Sequence, residues 1–363
     1  MKLQVTQENL NRALNNVARV ASTKNALPIL SNVLIKTIDN RVCIAATNLN
    51  IAITHYIGSK VSEEGSITVP ARLMQDFVAS LPSGIIDIKV DDTKLRIKAD
   101  KYNSTINGTV ADDYPVMPQI NNGSTWNVPA AELKKALQQV ILAASNDDAR
   151  PILTGIFFHT HEGHLYIAAT DSYRLAEKRI MPLAQEVKLL LPASAMQDLL
   201  RIIGDADEEI VVTHDDQQVL FTVGDVELVT RLIDGVYPDY RKLIPTSFST
   251  AAVLPKAELV NITKVSSLFA RESAGSVTLD LDEDEKQISI RSIASQLGEN
   301  TATASAKVTG TASITLNSRF ILDGLGVIND SEVSVAFNGK LEPCVIKGVE
   351  DKDYIHLIMP LKS

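Results

Sequence analysis

The pentapeptide Ile44-Ala45-Ala46-Thr47-Asn48 returns 123 residues later as Ile167-Ala168-Ala169-Thr170-Asp171. Two other pairs of motifs keep the same spacing: Leu27-Pro28-Ile29-Leu30 with Arg150-Pro151-Ile152-Leu153, and Asp113-Tyr114-Pro115 with Val236-Tyr237-Pro238. A fixed period shared by unrelated motifs indicates copies of one domain. Two copies reach about residue 245, and the 118 residues that remain of the 363-residue chain suit a third. We therefore predict three domains, at residues 1–122, 123–246 and 247–363.

Each copy opens with apolar residues at helical spacing. These residues are Leu10, Leu14 and Val17, then Leu133, Leu137 and Val140, then Leu259, Ile262 and Val265. A second helix is predicted later in each copy, where a proline or asparagine suits the helix start. The six predicted helices span residues 7–21, 70–81, 129–145, 192–203, 255–271 and 318–328.

Short β-branched runs lie between and after the helices. Examples are residues 32–37, 86–90, 209–213 and 332–336. Most of these runs alternate apolar and polar residues and are separated by Asp/Asn/Gly turns, which is typical of antiparallel strands with one solvent-exposed face. The predicted fold class is α+β, with three tandem copies of a domain made of two helices and antiparallel sheet.

The composition excludes several classes of protein. Hydrophobic residues make up 45% of the chain and the mean hydropathy is +0.05. No apolar run approaches the roughly 20 residues that a membrane helix needs, and the first residues do not form a secretory signal. Cys43 and Cys344 lie in different copies, so we expect buried thiols and no disulfide framework. These features predict a soluble, cytoplasmic protein that has no membrane contact.

The sequence contains no convincing catalytic or metal-binding motif. The six histidines are scattered, and the group His159, His161 and His164 is predicted to surround a solvated hairpin tip. Neither a glycine-rich phosphate loop nor a nucleophile elbow is present. We therefore predict no catalytic residues, no metal and no cofactor.

Charge is distributed unevenly along the chain. The formal net charge is −9, yet the six predicted helices carry ten basic and six acidic side chains. Asparagine and glutamine add uncharged polar groups to the same helices. Their exposed faces are suited to loose contact with phosphate groups, and the alternative is that they are ordinary solvated helix faces.

Four segments together resemble the bacterial DNA polymerase III beta subunit family, the replicative sliding clamps. They are Leu27-Pro28-Ile29-Leu30, Ala169-Thr170-Asp171-Ser172-Tyr173-Arg174-Leu175-Ala176, Tyr237-Pro238-Asp239-Tyr240-Arg241 and Met359-Pro360-Leu361-Lys362-Ser363. The resemblance spans the whole chain. It implies a non-catalytic processivity subunit that forms a homodimeric ring around double-stranded DNA, with helices lining the hole and sheets outside. The implied protein partners are the polymerase III alpha subunit, the clamp loader and other proteins that carry clamp-binding motifs.

The resemblance also implies three sets of site residues. DNA contacts would fall on Arg12, Lys24, Arg72, Lys134 and Lys135. The dimer interface would use Ser104, Ile106, Leu268 and Phe269. A partner-peptide groove would be formed by Leu153, Thr170, Ser172, Tyr173, Arg174, Leu175, Pro238, Lys242, Leu243, Asn317, Phe320, Cys344, Met359, Pro360, Leu361 and Lys362. Leu, Pro, Met and Phe side chains offer an apolar trough for the anchors of a short linear motif.

Two functional interpretations remain at this point. The first is the ring that tethers a polymerase to DNA. The second is a three-domain protein-binding adaptor that does not encircle nucleic acid. Ala274 raises the question of whether the groove is altered in this chain. The resemblance implies a larger side chain at the matching position in relatives, so one wall of the groove would be more open here.

Overall fold

A computed structural model describes residues 1–21, 27–294 and 298–361. All six predicted helices are confirmed, and each is somewhat shorter than expected. They are α1 (Gln7–Val17), α2 (Ala71–Ala79), α3 (Ala130–Val140), α4 (Ala193–Ile202), α5 (Lys256–Phe269) and α6 (Ser318–Val327). No helix in these described ranges is long and apolar enough to cross a membrane.

The rest of the described chain consists mainly of strands that pair antiparallel. Its strands are β1 (Lys2–Thr6), β2 (Asn32–Ile38), β3 (Arg41–Thr47), β4 (Ile51–Gly58), β5 (Lys60–Glu63), β6 (Ser66–Pro70), β7 (Ile85–Asp91), β8 (Lys94–Ala99), β9 (Tyr102–Asn107), β10 (Ser124–Pro129), β11 (Gly155–His161), β12 (His164–Thr170), β13 (Arg174–Pro182), β14 (Lys188–Pro192), β15 (Glu209–His214), β16 (Gln218–Val223), β17 (Val226–Arg231), β18 (Thr250–Pro255), β19 (Ser276–Asp282), β20 (Gln287–Ala294), β21 (Gly298–Ser305), β22 (Lys307–Thr309), β23 (Ala312–Asn317), β24 (Glu332–Phe337), β25 (Cys344–Gly348) and β26 (Tyr354–Ile358).

The chain divides into two compact units that cut across the second sequence copy. The first unit contains residues Met1–Ala131 and Gln197–Leu232, and the second contains Glu132–Met196 and Ile233–Ser363. The first unit holds a five-stranded sheet in the order β5-β1-β7-β8-β9 and an eight-stranded sheet in the order β10-β15-β16-β17-β4-β3-β2-β6. The second unit holds a nine-stranded sheet, β14-β11-β12-β13-β26-β25-β24-β18-β22, and a four-stranded sheet, β21-β20-β19-β23.

A long sheet in each unit runs without interruption through the junction between two sequence copies. In the first unit β17 pairs with β4, so that Val229 faces Ala52. In the second unit β26 pairs with β13, and Leu357 faces Leu175. Ala52 and Leu175 are themselves 123 residues apart. The two junctions therefore share one register, and backbone hydrogen bonds join the copies.

Helix formation follows from capping and from the spacing of apolar residues. Thr6 precedes α1 and its side chain accepts a hydrogen bond from the amide of Asn9, while the helix buries Leu10, Leu14 and Val17 on one face. Such a cap satisfies one of the amide groups left unpaired at a helix start.

The core face of α5 differs from the prediction. This helix buries Leu259, Ile262, Thr263 and Ser266, whereas Val265, predicted to be a core residue, is 46% exposed. The two hydroxyls can be buried because each donates a hydrogen bond, from Thr263 to the carbonyl of Leu259 and from Ser266 to that of Ile290. Small polar residues therefore face the sheet, and a large apolar residue faces solvent.

A buried ion cluster in the second unit involves a lysine that the sequence assigned to DNA. The Asp351 carboxylate lies 2.7 Å from Nζ of Lys178 and 3.0 Å from Nζ of Lys135. Burial alone would raise the pKa of Asp351, but hydrogen bonds from Lys178 and Lys135 lower this pKa to about 2. The Lys135 ammonium group is thus held by Asp351, and its predicted contact with DNA stays a prediction.

We predict a large stability loss when Asp351 is replaced by asparagine. The Lys178 side chain is only 4% exposed, and breaking a buried ion pair from one side leaves an uncompensated charge. Asp351→Asn should lower the free energy of unfolding by about 3 kcal/mol in urea denaturation.

The matched control is Asp353→Asn. Asp353 pairs with Arg179, and both side chains are about two-fifths exposed. Loss of such a surface pair should cost less than about 1 kcal/mol. Equal losses for the two variants would contradict a structural role for the buried cluster.

Candidate functional site

The candidate site is the surface of the second unit around the turn between β12 and β13, where the sequence predicts a partner-peptide groove. The Asp171 carboxylate accepts hydrogen bonds from the amides of Tyr173 and Arg174, both at 2.9 Å. The Thr170 hydroxyl donates to the carbonyl of Arg174 at 2.6 Å, and Ser172 adopts a positive φ of 78°. The turn is therefore held by its own side chains, and it presents Ser172 and Tyr173 to solvent.

Arg174 connects this turn to α6. Its guanidinium lies 3.1 Å from the Asp171 carboxylate and 2.6 Å from that of Asp323, and it stacks 4.5 Å from the ring centre of Phe320. The side chain is only 9% exposed. Arg174 and Phe320, both predicted as groove residues, are thus in contact. With two carboxylates and an aromatic face already occupied, Arg174 supports the groove wall.

The last described residues of the chain lie beside the same turn. The amide of Met359 donates to the carbonyl of Tyr173 at 2.8 Å, and the amide of Leu361 donates to that of Thr315 at 2.9 Å. Met359 is half-buried against a core cluster that includes Leu357. Met359, Pro360 and Leu361 therefore line a surface, while Lys362 lies outside the described residues.

A connector at residues 237–244 covers the sheet next to the groove through a buried polar network. Tyr237 stacks on Phe157 with ring centres 4.9 Å apart. The Tyr240 hydroxyl donates to the Glu177 carboxylate at 2.5 Å and lies 2.6 Å from Nε2 of His159. His159 is therefore buried and hydrogen-bonded, and its prediction as part of a solvated hairpin tip was wrong.

Arg241 completes this network. Its guanidinium lies 3.0 Å from the Glu177 carboxylate and 4.3 Å from the ring centre of Tyr166. Burial raises the pKa of Glu177 despite the hydrogen bond from Tyr240 and the charge of Arg241. Burial, and then the charge of Arg241, lower the pKa of His159 to about 4. The network therefore keeps the His159 imidazole uncharged beneath the connector. It also fixes the path of the connector over the sheet.

The structure separates the predicted groove residues into a surface and a support. The exposed or half-exposed residues are Ser172, Tyr173, Pro238, Lys242, Leu243, Asn317, Phe320, Met359, Pro360 and Leu361. Leu153 and Thr170 are nearly buried at the margin. Leu175 and Cys344 are fully buried, so their prediction as surface-lining residues is corrected, because they pack beneath the groove floor.

Asn317 has a local structural role beside the groove. Its side chain accepts a hydrogen bond from the amide of Arg319 at the start of α6 and donates one to the carbonyl of Ala274. Ala274 itself has a positive φ of 53°. The small Ala274 side chain thus sits in a strained turn that Asn317 holds in place.

The predicted DNA-contacting residues lie in different settings. Arg12 and Arg72 are exposed on α1 and α2, and neither forms an ion pair among the residues the structure describes; Arg12 is hydrogen-bonded to Asn9. Lys134 is half-buried on α3, and Lys24 falls outside the described ranges. The structure therefore leaves the two arginines on α1 and α2 available.

The predicted interface residues fall on a strand and a helix. Ile106 on β9 is only 6% exposed, so its side chain packs inside its own unit and an interface there would use the strand backbone. Ser104 on the same strand is half-exposed. On α5, Leu268 is 51% exposed and Phe269 is half-buried.

Several residues that hold the groove together were missed by the site prediction. They are Asp171, Glu177, Tyr240, Arg241 and Asp323. Asp171, Tyr240 and Arg241 lie inside the motifs that carry the family resemblance, and those motifs could have identified them. Glu177 and Asp323 offered no local signal, because their partners are distant in sequence.

Comparisons with known proteins match the whole chain. Profiles for the DNA polymerase III beta subunit match its N-terminal domain at residues 1–118, its central domain at 127–239 and its C-terminal domain at 241–362. The beta sliding clamp of Bacillus subtilis is 29% identical over the full length of both chains, and that of Synechococcus elongatus is 28% identical over 100% of this chain and 99% of the relative.

Solved structures agree with these matches. The DNA polymerase III beta subunit of Thermotoga maritima superposes with a TM-score of 0.94 at 26% identity, and the Bacillus subtilis sliding clamp with 0.94 at 28%. Each alignment covers 100% of this chain and 99% of the solved chain. The chain described here belongs to the DNA polymerase III beta subunit family, the beta sliding clamps.

Proposed function

We propose that two copies of this chain close into a ring around double-stranded DNA and tether the replicative polymerase to it. Family membership makes the chain a sliding clamp and a non-catalytic processivity subunit. The observation that carries the encirclement proposal is the polar helix surface of the first unit. Around one depression it carries Arg19, Arg72 and Arg201 against Asp76 and Asp198, so it is only weakly cationic and is not built to bind tightly.

That helix surface surrounds a depression of about 820 Å³. Arg19, Arg72 and Arg201 line it beside small and amide side chains such as Ala18 and Gln75. Arg201 is paired with Asp198, while Arg19 and Arg72 form no ion pair among the described residues. A few free guanidinium groups can attract phosphates without reading the sequence of the bases.

Two edge strands support the association of two chains. β9 and β21 are the outermost strands of their sheets. An exposed edge normally carries lysine, proline or a bulge that prevents further pairing. β9 has no charged residue or proline, and β21 carries only Glu299. We propose that β9 of one chain pairs with β21 of the other, with Val265, Leu268 and Phe269 of α5 covered beside it.

The groove in the second unit is the proposed docking site for short linear motifs of partner proteins. Tyr173, Leu243 and Pro238 are exposed, and Met359 and Leu361 are half-buried. We propose that together they give apolar anchors a place to pack. The proposed partners are the DNA polymerase III alpha subunit, the clamp loader and other proteins with clamp-binding motifs. A cytoplasmic location belongs to the same proposal.

The adaptor interpretation is not favoured. An adaptor has no need for free arginines on its helices or for two unprotected edge strands. The relatives that match this chain over its full length are named beta sliding clamps. The observation that would revive it is a strictly monomeric chain in solution.

Retention on DNA tests the ring. After loading onto a nicked circular plasmid by a clamp loader, the protein should remain bound during gel filtration and should leave when the plasmid is cut once. Topological linkage, unlike affinity, depends on closed DNA. Equal dissociation from circular and linear DNA would contradict encirclement.

Two variants separate closure from electrostatic attraction in the same assay. Leu268→Asp should shift the mass measured by light scattering from that of a dimer to that of the 39.4 kDa chain, and it should lose retention on circles. The double change of Arg12→Ala and Arg72→Ala should slow loading while the loaded rings still leave only when the DNA is cut.

Peptide binding tests the groove. Deletion of residues 359–363 removes Met359 and Leu361 together with the backbone contacts to Tyr173 and Thr315. A fluorescent peptide with the clamp-binding motif of a polymerase III alpha subunit should lose at least tenfold in affinity, equivalent to about 1.4 kcal/mol. The dimer mass should not change, and Asp353→Asn should bind normally. Unchanged peptide affinity after the deletion would rule out this groove.

A further inference from the structure

The first unit contains a counterpart of the groove at its own junction between sequence copies. The turn after β3 repeats the turn after β12. Asn48 accepts hydrogen bonds from the amides of Asn50 and Ile51, as Asp171 does from Tyr173 and Arg174. Leu49 has a φ of 73°, close to the 78° of Ser172. The two junctions are therefore alike in backbone and in register.

The connector of the first unit is anchored over its sheet by a buried tyrosine. Tyr114 stands 123 residues before Tyr237. Its hydroxyl donates to the carbonyl of Asn32 at 3.1 Å and accepts from the amide of Thr47 at 3.3 Å. Residues 115–119 then cross the sheet where residues 238–242 cross in the second unit.

Beneath this connector the two units differ. In the second unit the space is filled by His159, Tyr166, Glu177, Tyr240 and Arg241. The residues 123 positions earlier are Lys36, Cys43, Thr54, Met117 and Pro118. Four of these are smaller or shorter, and none builds a comparable network. The result is an open cavity of about 420 Å³ lined by these residues and by the connector.

The walls of this cavity combine apolar surface with two acids, the exposed Asp112 at the rim and the half-buried Glu227. Leu34, Ala52, Val229 and Met117 supply aliphatic side chains. The half-buried Glu227 receives a single long hydrogen bond, 3.4 Å, from the Tyr56 hydroxyl. It pairs with no cation among the described residues, although Lys36 lies on the same wall. A half-buried carboxylate that has no paired cation can form a charge-assisted hydrogen bond with a cation that a ligand brings.

The cavity is also elongated. A depression of about 340 Å³ shares Ile38, Tyr56 and Glu227 with it, and another of about 320 Å³ shares Ala52, Pro115 and Val229. Together they make one trough across the strands of the eight-stranded sheet. Such a shape suits an extended chain better than a compact small molecule.

We propose that this trough binds an extended segment of a partner protein, with an aliphatic or aromatic anchor in the cavity and a lysine or arginine paired with Glu227. This goes beyond the proposed function, which places peptide binding in the second unit alone. The clamp chain then has two docking sites of related geometry and different preference. In the second unit the polar network fills the space beneath the connector. In the first unit the corresponding space is open and forms the trough.

The test is selection of phage-displayed random peptides, each about ten residues long, on the intact wild-type protein. We expect a class of peptides that pairs an apolar residue with lysine or arginine. Members of this class should bind the variant lacking residues 359–363 as well as they bind wild type. Glu227→Gln should weaken them at least tenfold, and the control Glu63→Gln, at an exposed carboxylate of the same unit, should have no effect.

A second variant restores the bulk found in the other unit. Cys43→Tyr with Met117→Tyr should fill the cavity and abolish binding of the same peptides, while a thermal melt confirms the fold and the alpha-subunit peptide still binds its own groove. The proposal is overturned if every selected peptide is lost on deletion of residues 359–363. It is also overturned if the selected peptides are indifferent to both Glu227→Gln and the filled cavity. Neither result affects the second-unit groove.

Discussion

Continuous antiparallel pairing across the junctions between sequence copies is the constraint on which the other features depend. Because side chains alternate along a strand, a slip of one residue between β4 and β17, or between β13 and β26, would turn every core residue to the opposite face. The repeated pentapeptide fixes that register. Its last two residues, Thr47-Asn48 and Thr170-Asp171, build the turn that begins the pairing strand in each case.

The same scaffold then produces two different surfaces through the residues beneath each connector. In the second unit, Tyr240 and Arg241 converge on Glu177, and a charged group can be buried there because hydrogen bonds and a cation compensate it. In the first unit, Met117 and Thr54 leave the corresponding space open. Divergence of a few side chains under a conserved backbone is therefore enough to close one site or open another.

Most of the architecture could be predicted from the sequence because helices and strands each have a characteristic spacing of apolar residues. The helix pattern of Leu10, Leu14 and Val17 and the 123-residue offset need no long-range information. Most of what the sequence did not reveal depends on a partner far away in the chain. The sequence alone does not show that Asp351 lies beside Lys135. Val265 is an exception, because its helical spacing predicts a core position but α5 buries the hydroxyls of Thr263 and Ser266 instead. Cys344 was predicted as a groove residue, and only the folded sheet shows that its side chain is buried.

The modest charge of the helix surface is consistent with retention by closure. The chain carries a net charge of −9, so a duplex with one negative charge per about 1.7 Å of axis is repelled by most of the protein. Three arginines of the first unit, Arg12, Arg19 and Arg72, form no ion pair among the described residues and can offset that repulsion locally. Added lysines would raise affinity, but each phosphate contact formed would also have to break for the protein to move. The proposed ring needs only enough positive charge to offset the repulsion, and these three arginines are in keeping with that requirement.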